Sequence, residues 1–64
     1  MIYENGQNED VLVFTNQERL LGHIEIYHRS ERYEMWVFIS DDEKGNCGAS
    51  SKRSLRKMIG RKYR

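Results

Sequence analysis

Sixty-four residues make at most one small domain, and a chain of that size buries only about 60% of its unfolded surface, so a few large side chains must carry the core. Hydrophobic residues make up 38% of the chain and are grouped in short segments, which excludes global disorder, while the longest apolar run, Met35–Ile39, excludes both a membrane span of roughly 20 residues and a signal peptide. The net charge of +1 hides a division: residues 1–46 hold all ten acids and four bases, a net of −6, whereas residues 47–64 hold seven bases and no acid, an asymmetry that speaks of partners rather than of fold.

In chain order, residues 1–10 read as a flexible tail or a flanking strand, because 4–10 is polar and turn-prone. The sheet is expected over 11–40. Val11–Phe14 is a short run containing β-branched residues and reads as its first strand. Thr15–Arg19 is polar and turns the chain. His23–Arg29 alternates, with Ile24 and Ile26 on one face and His23, Glu25, Tyr27 and Arg29 on the other. Strict alternation also puts His23 and His28 on opposite faces, which denies them a shared metal on that strand. Ser30-Glu31 makes a tight connection into Tyr33–Ser40. Here Tyr33, Met35, Val37 and Ile39 share one face, with Glu34, Trp36 and Phe38 on the other.

Residues 41–50 read as a loop, with room for a short strand around Asn46–Ala49. Cys47, the sole cysteine, excludes an internal disulfide and favours a reducing compartment; no neighbouring His or Asp suggests an activated thiolate. The adjacent acids Asp41, Asp42 and Glu43 lack the spacing of a calcium loop. Residues 51–63 read as a helix, capped by Ser50 or Ser51 and carrying an apolar stripe of Leu55, Met58, Ile59 and Tyr63. A helix of about 13 residues is marginal alone in water, so the stripe must dock, and Ile24/Ile26 with Met35/Val37/Ile39 is the expected seat. The fold class is therefore α+β: a three-stranded antiparallel sheet, with a short extra N-terminal strand as an option, packed by one C-terminal helix.

Two features carry functional weight. The first is the basic helix surface of Lys52, Arg53, Arg56, Lys57 and Arg61. Lys52 and Arg53 fall in the first turn, where the helix dipole disfavours cations, and a bound anion would resolve that conflict. The second is the sheet face turned from the helix. If it holds Tyr27, Trp36 and Phe38 beside His23 and Arg29, it is an exposed aromatic patch suited to stacking on bases. As an alternative, the N-terminal residues cover that face. Met35–Ile39, apolar throughout, also needs cover on its outer side, which keeps a homodimer open.

The segment Gly45-Asn46-Cys47-Gly48-Ala49-Ser50-Ser51-Lys52-Arg53-Ser54-Leu55-Arg56 resembles the end of a double-stranded-RNA-binding domain. In that family a glycine-containing strand end leads into a helix opening with Ser, two bases, two spacers and another base. The resemblance implies that Lys52, Arg53 and Arg56 grip phosphates across an RNA major groove. It covers residues 45–56 only. The family's first helix and its Pro-His loop have no counterpart, the chain having no proline at all, and Leu55 replaces the usual small residue. The order strand-strand-strand-helix is similar, too, to the DNA-binding domains at the front of tyrosine recombinases and of the AP2 class. The chain is assigned to none of these families.

The residues thus point first to a small, non-catalytic, cytoplasmic module that binds RNA or DNA. Lys52, Arg53, Arg56, Lys57 and Arg61 would contact phosphates, and Tyr27, Arg29 and Trp36 bases or a groove. The alternative is a small phage- or mobile-element-type protein that binds a host protein and inhibits or redirects it, with the acidic body as its contact surface. Neither reading calls for a metal, a cofactor or a membrane, and no Gly-rich phosphate loop, nucleophile elbow or zinc pattern suggests an enzyme.

Overall fold

A computed structural model describes residues 1–63. The α+β class holds, but the sheet has five strands rather than three: β1 (Ile2–Asn5), β2 (Val11–Phe14), β3 (Leu20–Arg29), β4 (Glu34–Ser40) and β5 (Cys47–Ala49), followed by α1 (Lys52–Lys62). The strands form a purely antiparallel meander in the order β1-β2-β3-β4-β5. The N-terminal strand and the short strand after the acidic loop, both optional readings of the sequence, are thus both present. Each is only three or four residues long, which is why alternation alone did not secure them.

Tight turns join the strands. Gly6 N–H donates to Asp10 O, Thr15 N–H to Arg19 O and Ser30 N–H to Tyr33 O. Asn8, Glu18 and Glu43 occupy the left-handed region at φ 56, 64 and 60°. For the two glutamates a turn hydrogen bond accompanies that conformation, Glu18 N–H to Thr15 O and Glu43 N–H to Ser40 O. The loop after β4 is organised by Ser40, a buried polar residue. Its hydroxyl donates to Asp42 Oδ1 at 3.0 Å and accepts from Gly45 N–H at 2.9 Å, while Asn46 Oδ1 accepts from Ser40 N–H at 2.9 Å.

The register decides which face the helix covers, and it overturns part of the expected arrangement. Ile24 lies opposite Phe38 and Ile26 opposite Trp36. Directly opposed residues of an antiparallel pair point to the same side, so Trp36 and Phe38 join Ile24 and Ile26 beneath the helix. Met35, Val37 and Ile39 face the other way. The core is Val11, Val13, Ile24, Trp36, Phe38, Leu55 and Ile59. Burying the two large aromatics rather than the smaller aliphatics removes more apolar area from water, and each fully buried side chain contributes about 1.5–3 kcal/mol.

A bulge between Ile26 and His28 makes Tyr27 the extra residue on β3. It resets the alternation, so His28 pairs with Met35 and shares the outer face with His23, which pairs with Ile39. The opposite-face placement of the two histidines is therefore corrected. Among the described residues no group of three or more metal-ligating side chains forms.

The helix runs as expected. Ser51 is its N-cap, Ser54 N–H donating to Ser51 Oγ at 3.1 Å, and Tyr63 closes it with Tyr63 N–H donating to Ile59 O at 3.0 Å. Leu55 and Ile59 are fully buried, while Met58 stays 38% exposed. Among the described residues no helix is long and apolar enough to cross a membrane.

Candidate nucleic-acid interface

Four of the five helix cations singled out in the sequence come together. Lys52, Arg53, Arg56 and Lys57 line one shallow groove along the flank of α1, and its fifth wall is Tyr3 of β1. Helical spacing explains the cluster: Lys52 and Arg56, and Arg53 and Lys57, are i, i+4 pairs on the flank beside the Leu55/Ile59 stripe. Arg61 is exposed a turn further on and does not line the groove.

Two of these cations are seated on aromatic rings. The Lys52 ammonium lies 4.5 Å from the centroid of Trp36, and the Arg56 guanidinium lies 4.7 Å from that of Tyr3. Tyr3 also donates its hydroxyl to Arg56 O at 3.4 Å. Burial pushes the Tyr3 phenol above its ordinary range, with the Arg56 charge pulling the other way. Cation–π contacts of this kind contribute about 0.5–1 kcal/mol at exposed sites; here they fix where two positive charges stand.

Among the described residues no cation of the helix forms an ion pair with the acidic body. Among the described residues the ion pairs are His23–Glu25, Arg29–Glu9 and Arg29–Glu34, and none reaches α1. The first helical turn holds no acid, so Lys52 and Arg53 stand uncompensated at the positive end of the dipole, at a cost of a few tenths of a kcal/mol each.

The aromatic patch assigned to the outer sheet face does not exist as such. Trp36 is 5% exposed and Phe38 fully buried, both on the helix side. Tyr27 is 75% exposed but sits on the β3 bulge, away from Trp36. Arg29 is committed within the molecule: its Nε donates to Glu34 Oε2 at 2.6 Å and its Nη2 to Glu9. Those two hydrogen bonds hold its pKa above the ordinary value. As base or groove contacts, Arg29 and Trp36 are therefore corrected, because one is already paired and the other is covered.

The outer face instead mixes aliphatic side chains with Phe14, His23 and Glu25. Cross-strand neighbours put Ile2 with Phe14, Leu12 with His23 and Ile39, and Glu25 with Val37. These side chains are half-buried, and among the described residues no element covers them. At the centre His23 Nε2 and Glu25 Oε1 lie 3.0 Å apart.

Tyr3 is the site residue that sequence reasoning missed. Its signal was slight: a one-residue alternation in Ile2-Tyr3-Glu4 ahead of a polar turn, next to a strand of matching length. Lys62, exposed on the last turn, is a further helix cation that the apolar-stripe reading did not single out. Compared with models of protein families, with curated proteins and with solved structures, the chain matches none.

Proposed function

We propose that the protein is a non-catalytic nucleic-acid-binding module whose contact surface is the groove of Tyr3, Lys52, Arg53, Arg56 and Lys57, extended by Arg61. The observation that carries this reading is that, among the described residues, none of these cations has an acid partner, in a chain that holds ten acids. A helix serving stability alone would place acids in its first turn and pair its bases at i, i+4. Two cations preset on aromatic rings lose less freedom on meeting a phosphate, which favours binding. A cytoplasmic setting fits the unpaired Cys47.

The experiment is a salt titration of binding to labelled duplex and single-stranded RNA and DNA. Four phosphate contacts give a log–log slope of about −3.6 on B-DNA and about −2.8 on a single strand. Replacing Lys52 and Arg53 with Gln shallows the slope by roughly two units while the fold persists, since neither belongs to the buried core. Absence of binding at about 50 mM salt sinks the proposal.

A second reading is favoured by the uncovered aliphatic side chains on the outer face of the sheet. An apolar face of this kind suits a protein partner, as in a small factor that blocks or redirects a host enzyme, or a second copy of the chain. Sedimentation of the wild type against Val37→Glu separates the last case, because only self-association through this face is lost in the variant.

A further inference from the structure

Gly60 lies inside α1, where a methyl group built on its Cα meets no atom of the described residues within 4 Å. Its φ is not in the left-handed region, so its backbone is one that alanine adopts freely. Glycine in a helix interior costs about 1 kcal/mol relative to alanine, and an 11-residue helix has little to spare. Among the described residues nothing occupies the place of the missing side chain. Gly60 is, however, the third member of the row Lys52, Arg56, Gly60, spaced four residues apart along one flank. The first two carry cations fixed on Trp36 and Tyr3. At the third the helix backbone is bare and opens into a depression whose opposite wall is the polar turn Thr15, Asn16 and Gln17.

We infer that one sugar–phosphate strand runs along this row, its phosphates against Lys52 and Arg56 and its backbone in direct contact with the helix at Gly60. The row spans about 12 Å at 1.5 Å per residue, the axial length of roughly three to four nucleotides at 3.4 Å per step on each strand. A free single strand and one strand of a duplex both present this chemistry. The inference rests on the nucleic-acid reading and adds to it a place where the ligand touches main chain.

The test compares the full chain with its Gly60→Ala variant, by thermal melting and by fluorescence anisotropy on a labelled single-stranded oligonucleotide and on the same sequence as a duplex. Gly60→Ala melts higher than the wild type and binds about tenfold more weakly. The salt slope is unchanged, because no charge is removed. Loss confined to the single strand, or shared by the duplex, identifies which source presents the strand, and either supports the contact. If Gly60→Ala binds as the wild type does, the contact at Gly60 is overturned and the basic-groove proposal stands. If the variant melts lower, the glycine serves the fold and the inference falls. If the wild type binds neither probe, both fall, and equal sensitivity toward polyglutamate overturns the assignment to a sugar–phosphate chain.

Discussion

The Lys52 ammonium rests 4.5 Å from the centroid of the Trp36 ring, so the first cation of the helix is seated on the largest side chain of the core. Trp36 is the sole tryptophan, which makes its emission a reporter of that contact. A phosphate that meets Lys52 on the ring alters the field at Trp36, so its fluorescence changes in step with polyanion binding. Lys52→Gln abolishes the response, whereas Lys57→Gln, which leaves the ring contact in place, retains it. Binding seen by anisotropy with no change in emission would show that no phosphate reaches Lys52.

The two faces of β4 differ in what they support. Phe38→Ala empties a fully buried position opposite Ile24 and lowers stability by about 3–5 kcal/mol, and Leu55→Ala on the facing helix costs about 2–5 kcal/mol. Val37→Ser, on the uncovered face, costs under about 1 kcal/mol. Urea unfolding of the three variants checks the ranking. A Val37→Ser chain that unfolds as readily as Phe38→Ala would mean that something covers the outer face.

Gly22 has the opposite character to Gly60. A Cβ at Gly22 would overlap the Ile39 carbonyl oxygen and lie 2.8 Å from Ser40 Cα. Both obstacles are backbone atoms of the neighbouring strand, so Gly22→Ala must displace the β3–β4 ladder. The expected loss is roughly 1–3 kcal/mol or more, read as a drop in melting temperature. Hydrogen-exchange protection at Ser40 and Asp41 should fall with it, since Asp41 N–H donates to Leu21 O beside the clash.

Burial pushes the Cys47 thiol above its ordinary pKa, and Lys62 draws it back only in part. The folded state therefore holds this proton at pH values where the unfolded chain has released it. The associated stability is complete below the ordinary thiol pKa and is lost as pH climbs through the raised one. At pH 8 iodoacetamide should label Cys47 more slowly in the native protein than in urea. Equal rates would place the thiol in full contact with solvent.

The helix was legible because each of its cues is local: a serine cap, an apolar stripe and no proline before Tyr63. The β3 and β4 segments were legible for the same reason. What the sequence left open was relative: which face of β4 lies beside which face of β3. Tyr33, Met35, Val37 and Ile39 make as good an apolar set as Trp36 and Phe38, so alternation allowed either side of β4 to meet the helix, and the expected side, Met35/Val37/Ile39, was the wrong one. Pairing across the ladder chose between them, and the bulge at Tyr27 then shifted the parity of His28. The cation cluster could be read from spacing on the helix. Its aromatic seats could not, because Tyr3 stands 53 residues from Arg56.

The order β1-β2-β3-β4-β5 bears on how the chain comes together in time. Every strand pairs with the one just before it, so each closure spans a short loop and the entropy lost at each step is small. Such low contact order belongs with rapid folding for a sheet protein. The hairpins can form one after another as the chain is synthesised, yet the side holding Trp36 and Phe38 remains wet until α1 arrives from the C-terminal side. The same late event that dries that surface also seats Lys52 on Trp36 and Arg56 on Tyr3. A nascent chain halted before α1 would thus be sticky and would lack the cationic groove, which comes into being only as the last element docks.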